Sequence, residues 1–135
     1  MALLVDTGFL YALADRSDAW HGRVVAYLGG HRQALLAPVT IVPEVTYLLR
    51  ERLGSRAELG FVRSLAHHEI AVEELKRADW SRIEEILEHH ESLGFVDASV
   101  VAVAERLKAR ELATTDHRHF STFKPAHVSR FELVP

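Results

Sequence analysis

At 135 residues the chain is long enough for one ordinary domain, 1–135, with a sizeable core. Its 48% apolar and 26% charged content is normal for a globular protein, and the absence of cysteine excludes disulfides, thiolate metal sites and cysteine nucleophiles. A formal charge of −3, with nine histidines besides, argues against a sequence-independent nucleic-acid binder, although a phosphodiester substrate stays possible where bound cations cancel the acids.

Met1 leads into a short apolar run that Asp6 interrupts, with no basic n-region, long apolar stretch or cleavage site, so no signal peptide is expected. No stretch approaches the roughly 20 apolar residues of a membrane span. A cytoplasmic protein with no membrane partner is the expectation.

Leu3 to Val5 reads as a strand buried on both faces, because it is apolar without alternation. Phe9, Leu10, Leu13 and Ala14 then fall at helical spacing over Thr7 to Ala14. Asp18 is placed to cap a helix whose apolar face is Val24, Val25, Tyr27 and Leu28, with Gly29-Gly30 as its stop. Ala34 to Val39 is a second strand. Thr40 would cap the next helix, with Pro43 and Glu44 in its first turn, Val45, Leu48 and Leu49 inward, and Gly54 at its end.

Ser55-Arg-Ala-Glu58 has the pattern of a capping box, opening a helix that buries Leu59, Val62, Leu65 and Ala66. Phe61 falls off that face and is assigned to a dimer seam or a partner's landing site. Ile70 to Val72 is a strand. Asp79 caps a helix bearing Ile83, Ile86 and Leu87, which Gly94 closes. Val96 to Ala109 carries Val100, Val101, Val103, Ala104 and Leu107 and has the clearest helical pattern. Glu111 to Thr115 and Phe131 to Val134 are strands, separated by a loop-like stretch from Ser121 to Ser129. Strands alternating with helices imply an α/β layered domain built on a mainly parallel sheet flanked by helices.

Four lone acids stand where strands meet helices: Asp6, Glu44, Asp97 and Asp116. Sites in open parallel sheets form outside the carboxyl ends of strands, where strand order reverses. Asp6 and Asp116 follow strands, and Glu44 and Asp97 lie near helix N-termini that open from the same edge. Four carboxylates converging there would repel one another unless a divalent cation lay between them. Oxygen-only ligation indicates a hard ion, Mg²⁺ or Mn²⁺. One ion lowers the pKa of bound water, and two would also clamp both oxygens of an in-line phosphoryl displacement. Each acid also has a plain reading: Glu44 and Asp97 as first-turn acids favoured by the helix dipole, Asp116 as the start of a turn. Asp6 is harder to dismiss, since an acid straight after a buried strand has no routine structural job.

With these motifs in place, the sequence resembles a PIN-domain ribonuclease, and most closely the small VapC-type toxins of bacterial toxin–antitoxin pairs. The resemblance runs through Val-Asp-Thr-Gly-Phe-Leu at Val5–Leu10, Pro-Glu-Val at Pro43–Val45, Phe-Val-Asp-Ala-Ser at Phe95–Ser99, and Thr-Thr-Asp-His-Arg-His-Phe at Thr114–Phe120. It implies a PIN-like three-layer fold, with the family's four acids falling on Asp6, Glu44, Asp97 and Asp116, and its hydroxyl before the last acid on Thr114. It implies a Mg²⁺- or Mn²⁺-dependent endoribonuclease, usually a homodimer, neutralised by a cognate antitoxin. The chain departs from the pattern twice: Gly8 stands where many relatives have Ser, and Arg118 stands where many have another acid.

Thr7 and Thr115 are placed to hydrogen-bond carboxylates or a water. His117, Arg118 and His119 adjoin the site as candidate phosphate contacts, with Arg16, His21, Arg50 and Arg52 as weaker ones. The pairs His67-His68 and His89-His90 diverge on a helix and suit a surface. Ser99 has no activating base, which disfavours a Ser-His-Asp hydrolase. Trp20, Trp80 and the Tyr47-Leu48-Leu49 stripe are assigned to packing. An aspartate-nucleophile phosphatase is disfavoured, because Asp6 is followed by Thr7 and Gly8 rather than by an acid two residues on. Two alternatives stay open: a catalytically silent PIN-type module that binds RNA or protein, and an RNA-processing nuclease that is not a toxin.

Overall fold

The computed structural model describes residues 2–135. Five strands form one sheet in the order β3-β2-β1-β4-β5: Leu3–Val5 (β1), Leu35–Pro38 (β2), Ile70–Glu73 (β3), Glu111–Ala113 (β4) and Glu132–Val134 (β5). Every neighbouring pair is parallel, with Leu4 opposite Leu36 on one side and Leu112 on the other. Seven α-helices flank the sheet: Thr7–Ala14 (α1), His21–Gly30 (α2), Val42–Leu53 (α3), Ser55–Ala66 (α4), Arg77–His89 (α5), Phe95–Leu107 (α6) and His117–Ser121 (α7). Central β1 buries all three of its residues, the outcome its unalternating apolar run implied.

This order places the site. The chain builds β1, β2 and β3 outward in one direction, then crosses back to lay β4 on the other side of β1. The switch point therefore lies between the carboxyl ends of β1 and β4, the location where open parallel sheets form crevices. Long α6 carries seven consecutive buried residues from Ala98 to Ala104, so its first turn is rigidly held against the sheet.

Several expectations fail locally. Thr40 caps nothing; a single 3-10 turn at Val39–Ile41 leads into α3, and the Thr40 hydroxyl instead meets Ser99 Oγ at 2.6 Å. Asp18 accepts the Trp20 N–H at 2.8 Å and shapes the turn before α2 rather than capping it. The capping box at Ser55 does not form, because Gly54 with φ +99° occupies the cap position, and Glu58 pairs with Arg50 at 2.8 Å. Gly94 does not close α5, which ends at His89, but begins α6.

The buried face of α4 is rotated from its expected position. Phe61, 9% exposed, belongs to the core, and Leu59 and Val62 face outward at 48% and 43%. That excludes Phe61 as a free docking residue. Tyr47 is likewise on the surface, 65% exposed. When apolar residues occupy most of a helix, neighbouring α3 decides which stripe is buried, and periodicity alone cannot. Helix α7 went unrecognised because five residues are too few to set a period.

Asp79 is not the cap residue of α5, a position that Lys76 takes, but supports that position from the first turn. Buried at 2% exposure in the first turn of α5, it accepts the Lys76 N–H at 2.8 Å and the Arg106 Nε at 3.0 Å. Arg106 also reaches Glu73 Oε2 at 3.0 Å, tying α6 to α5 and the end of β3. Arg106→Leu strands the Asp79 charge, so a loss of about 3–5 kcal/mol is expected in urea unfolding. Arg106→Leu combined with Asp79→Leu should cost less than Arg106→Leu alone; a larger cost in the double variant would disprove this account of the pair.

Candidate active site

Asp6 is the first residue beyond β1 and caps α1, its Oδ1 accepting the Phe9 N–H at 2.9 Å. An acid after a buried strand thus does have a structural task here, contrary to the sequence reading. Its Oδ2 accepts the hydroxyl of fully buried Thr114 at 2.5 Å, and Thr114 Oγ1 in turn accepts the Asp116 N–H at 2.9 Å. One threonine therefore fixes the carboxylate after β1 and the backbone after β4, across the switch point.

Glu44, in the first turn of α3, accepts the Thr7 hydroxyl at 2.6 Å. Asp97 lies in the first turn of α6, and Asp116 caps α7 by accepting the His119 N–H at 3.2 Å. All four acids line one cavity of about 380 Å³, together with Thr7, Gly8, Thr115 and His119. The convergence expected from the sequence is present in the geometry.

The electrostatics are those of crowded, poorly solvated carboxylates. Burial pushes the Asp6 carboxyl up to about 7; the Thr114 and Phe9 hydrogen bonds oppose this, and the charges of Asp97 and Asp116 add to it. Asp97 is also raised, by burial first and then by Asp116, with His119 opposing and Glu44 adding. Among the described residues no lysine or arginine lines the cavity. Carboxylate oxygens of this density, lacking a fixed counter-charge, fit a divalent cation. One oxygen of Asp97, one of Asp116 and a ring nitrogen of His119 lie within 4.8 Å of one another, which places them in reach of one ion.

The basic candidates divide. His119 enters the cavity, whereas His117 and Arg118 do not line it; the His117 ring instead lies 5.1 Å from Trp20, with its Nε2 buried and unpartnered. Arg50 is paired with Glu58, Arg52 lies over the Tyr11 ring at 5.1 Å, and His21 Nδ1 meets the Ala12 carbonyl at 2.8 Å. Arg16 is absent from the cavity wall. Ser99 is fully buried, with its hydroxyl turned to the Val96 carbonyl.

The departure at position 8 has a steric reason that the sequence did not disclose. A Cβ on Gly8 would fall 2.3 Å from Thr115 Oγ1, so the threonine hydroxyl occupies the space a side chain at 8 would need. Gly8→Ser is expected to cost about 1–3 kcal/mol as overpacking against Thr115. Adding Thr115→Ala should recover most of that stability in thermal unfolding. No recovery would mean that the strain lies elsewhere.

Comparison with known proteins places this geometry. The family model described as PIN domain matches residues 3–124. Ribonuclease VapC26 of Mycobacterium tuberculosis is 30% identical over 135 residues, covering 98% of this chain and all of that protein. In structure the chain is similar to VapC20 of M. tuberculosis, described as a sarcin–ricin loop cleaving toxin, with a TM-score of 0.81, 23% identity, and coverage of 94% and 98% of the two chains. It is also similar to a chain of a toxin–antitoxin complex from Klebsiella pneumoniae, with a TM-score of 0.71, 17% identity, and coverage of 99% and 97%. The match spans both strands at the switch point and all four acids, and the chain belongs to the PIN domain family.

Proposed function

We propose that this chain is a metal-dependent endoribonuclease that hydrolyses RNA phosphodiester bonds, and that it serves as the toxin of a toxin–antitoxin pair. The observation that carries this reading is the meeting of Asp6, Glu44, Asp97 and Asp116 in one cavity with, among the described residues, no lysine or arginine to neutralise them. An end-to-end relative named as a ribonuclease supports RNA as the substrate, and a structural neighbour taken from a toxin–antitoxin complex supports a protein antitoxin as partner.

Asp6 and Asp97 would hold the principal cation, Mg²⁺ or Mn²⁺, with Glu44 and Asp116 completing the acidic pocket. When bound, the cation supplies Lewis-acid stabilisation of the phosphate and activation of water. The chain's own residues fix the geometry. Thr114 orients Asp6, and Thr7 orients Glu44. With carboxylates locked by these hydroxyls, little reorganisation is needed as charge develops on the phosphate. No side chain acts as nucleophile: water adds to phosphorus and the bond to the leaving oxygen breaks.

The test is cleavage of end-labelled total RNA with Mg²⁺, with Mn²⁺ and with EDTA. Discrete cuts that require the metal, and that stop when the cognate antitoxin is added, are expected. Metal binding without cleavage of any RNA would favour a silent binding module. Cleavage by a protein that is harmless on expression would favour an RNA-processing enzyme.

A further inference from the structure

The cavity holds one nitrogen donor among its oxygens. His119 is the third residue of α7, and the cap of that helix aims it: its N–H donates to Asp116 Oδ1 at 3.2 Å, so its ring folds back over the same carboxylate. Nδ1 then lies 2.8 Å from Asp116 Oδ2 and 3.7 Å from Asp97 Oδ2. Donors bound about 2.1 Å from one octahedral cation stand roughly 3 Å apart when adjacent and about 4.2 Å apart when opposite. The 2.8 Å spacing is close to that of adjacent donors, and the 3.7 Å spacing lies between the adjacent and opposite values. Nδ1 therefore stands between two carboxylates from different helices, within reach of both.

The surroundings also favour ligation. The ring is 44% exposed and so stands at the cavity mouth, accessible to an entering ion. Asp6, the deepest acid, is 6% exposed and has no cationic partner, so the pocket needs positive charge beyond anything the side chains fix in place.

We infer that His119 is a direct nitrogen ligand, through Nδ1, of the cation in this pocket, beside Asp97 and Asp116. This rests on the metal-dependent reading above and extends it. The consequence is selectivity. Mg²⁺ takes oxygen donors almost exclusively, whereas first-row divalent ions accept imidazole nitrogen. A pocket that adds an imidazole to its carboxylates therefore favours Mn²⁺ over Mg²⁺ more than carboxylates alone would.

The experiment is pulsed EPR on the Mn²⁺-loaded full chain, prepared once with natural-abundance histidine and once with ¹⁵N-histidine. A directly bound ¹⁴N should modulate the echo, the modulation should change to the ¹⁵N pattern on labelling, and it should vanish in His119→Gln. In the same variant Mn²⁺ affinity should fall by about 10-fold or more, with Mg²⁺ affinity changing less, of the order seen when a metal site loses a supporting contact or ligand. Bound Mn²⁺ with no nitrogen modulation, or modulation that persists in His119→Gln, overturns the assignment and leaves the carboxylate site standing. Wild-type protein that binds no Mn²⁺ overturns both the assignment and the metal-dependent reading. If His119→Gln does not fold, the isotope comparison on the unaltered chain decides alone.

Discussion

Asp97→Asn is expected to reduce metal-dependent RNA cleavage by well over ~100-fold, beyond the 10–100-fold typical of losing a residue that merely supports a metal ligand. It should do so without unfolding the protein. Asp97 lies in the first turn of α6, where a carboxylate would ordinarily stabilise the helix through its dipole by about 0.3–1 kcal/mol. Here burial and the neighbouring Asp116 charge work the other way and hold its carboxyl above the usual range. The sign of the stability change therefore separates the two roles. A dipole partner would be missed: its loss would lower Tm slightly and leave cleavage intact. A ligand held against its neighbours is a burden in the metal-free state, so the variant should melt at the same temperature or higher in EDTA and lose the gain on adding Mn²⁺. Cleavage that survives Asp97→Asn would overturn the assignment.

That distinction bears on how far the sequence could be read. The sheet was legible because its strands are short and mostly apolar, and Leu3–Val5 is buried throughout. Helix α6 was legible because its apolar pattern continues over 13 residues, too long for a buried strand. Helix faces were less so. Leu59, Phe61, Val62 and Leu65 are all apolar, and only the packing of α4 on α3 selects Phe61 for the interior. Caps failed for a related reason: Thr40 and Ser55 have the right chemistry, but a 3-10 turn and a positive-φ glycine take the positions they would need.

The four acids were recoverable because parallel topology sends strand ends and helix starts to one edge, so separate segments reach the same cavity. The neighbours that position them were harder to foresee. Thr114 bridging Asp6 and the Asp116 backbone depends on β1 and β4 being adjacent, with the hydrogen-bonded side chains 108 positions apart in the sequence. The separation of His119 from His117 depends on α7, which the sequence did not reveal. Its one available signal was the i, i+3 spacing of Asp116 and His119, a helical relation that becomes readable only once Asp116 is recognised as a cap.

Removing the metal should make stability depend on pH through Asp6. Its carboxyl titrates at about 7 in the folded protein, against 3.8 ordinarily. Between those values the folded state keeps a proton that the unfolded chain has released, so stability is fullest below about pH 4, falls as pH rises toward 7, and levels off above. Each pH unit in that window is worth about 1.4 kcal/mol, so roughly 2–4 kcal/mol should be lost between pH 5 and pH 8 in EDTA. Other acids add their own pH dependence, so the comparison must be with Asp6→Asn. Asparagine keeps an oxygen for the Phe9 N–H and carries no charge to desolvate. Wild type minus Asp6→Asn should therefore isolate the fall, with the variant the more stable above pH 7 and inactive at every pH. A saturating divalent cation takes the place of the proton, so it should restore wild type most at high pH and stabilise Asp6→Asn less. The same carboxylate then accounts for both the instability of the empty pocket and the affinity of the filled one, and equal pH slopes in the two proteins would break that link.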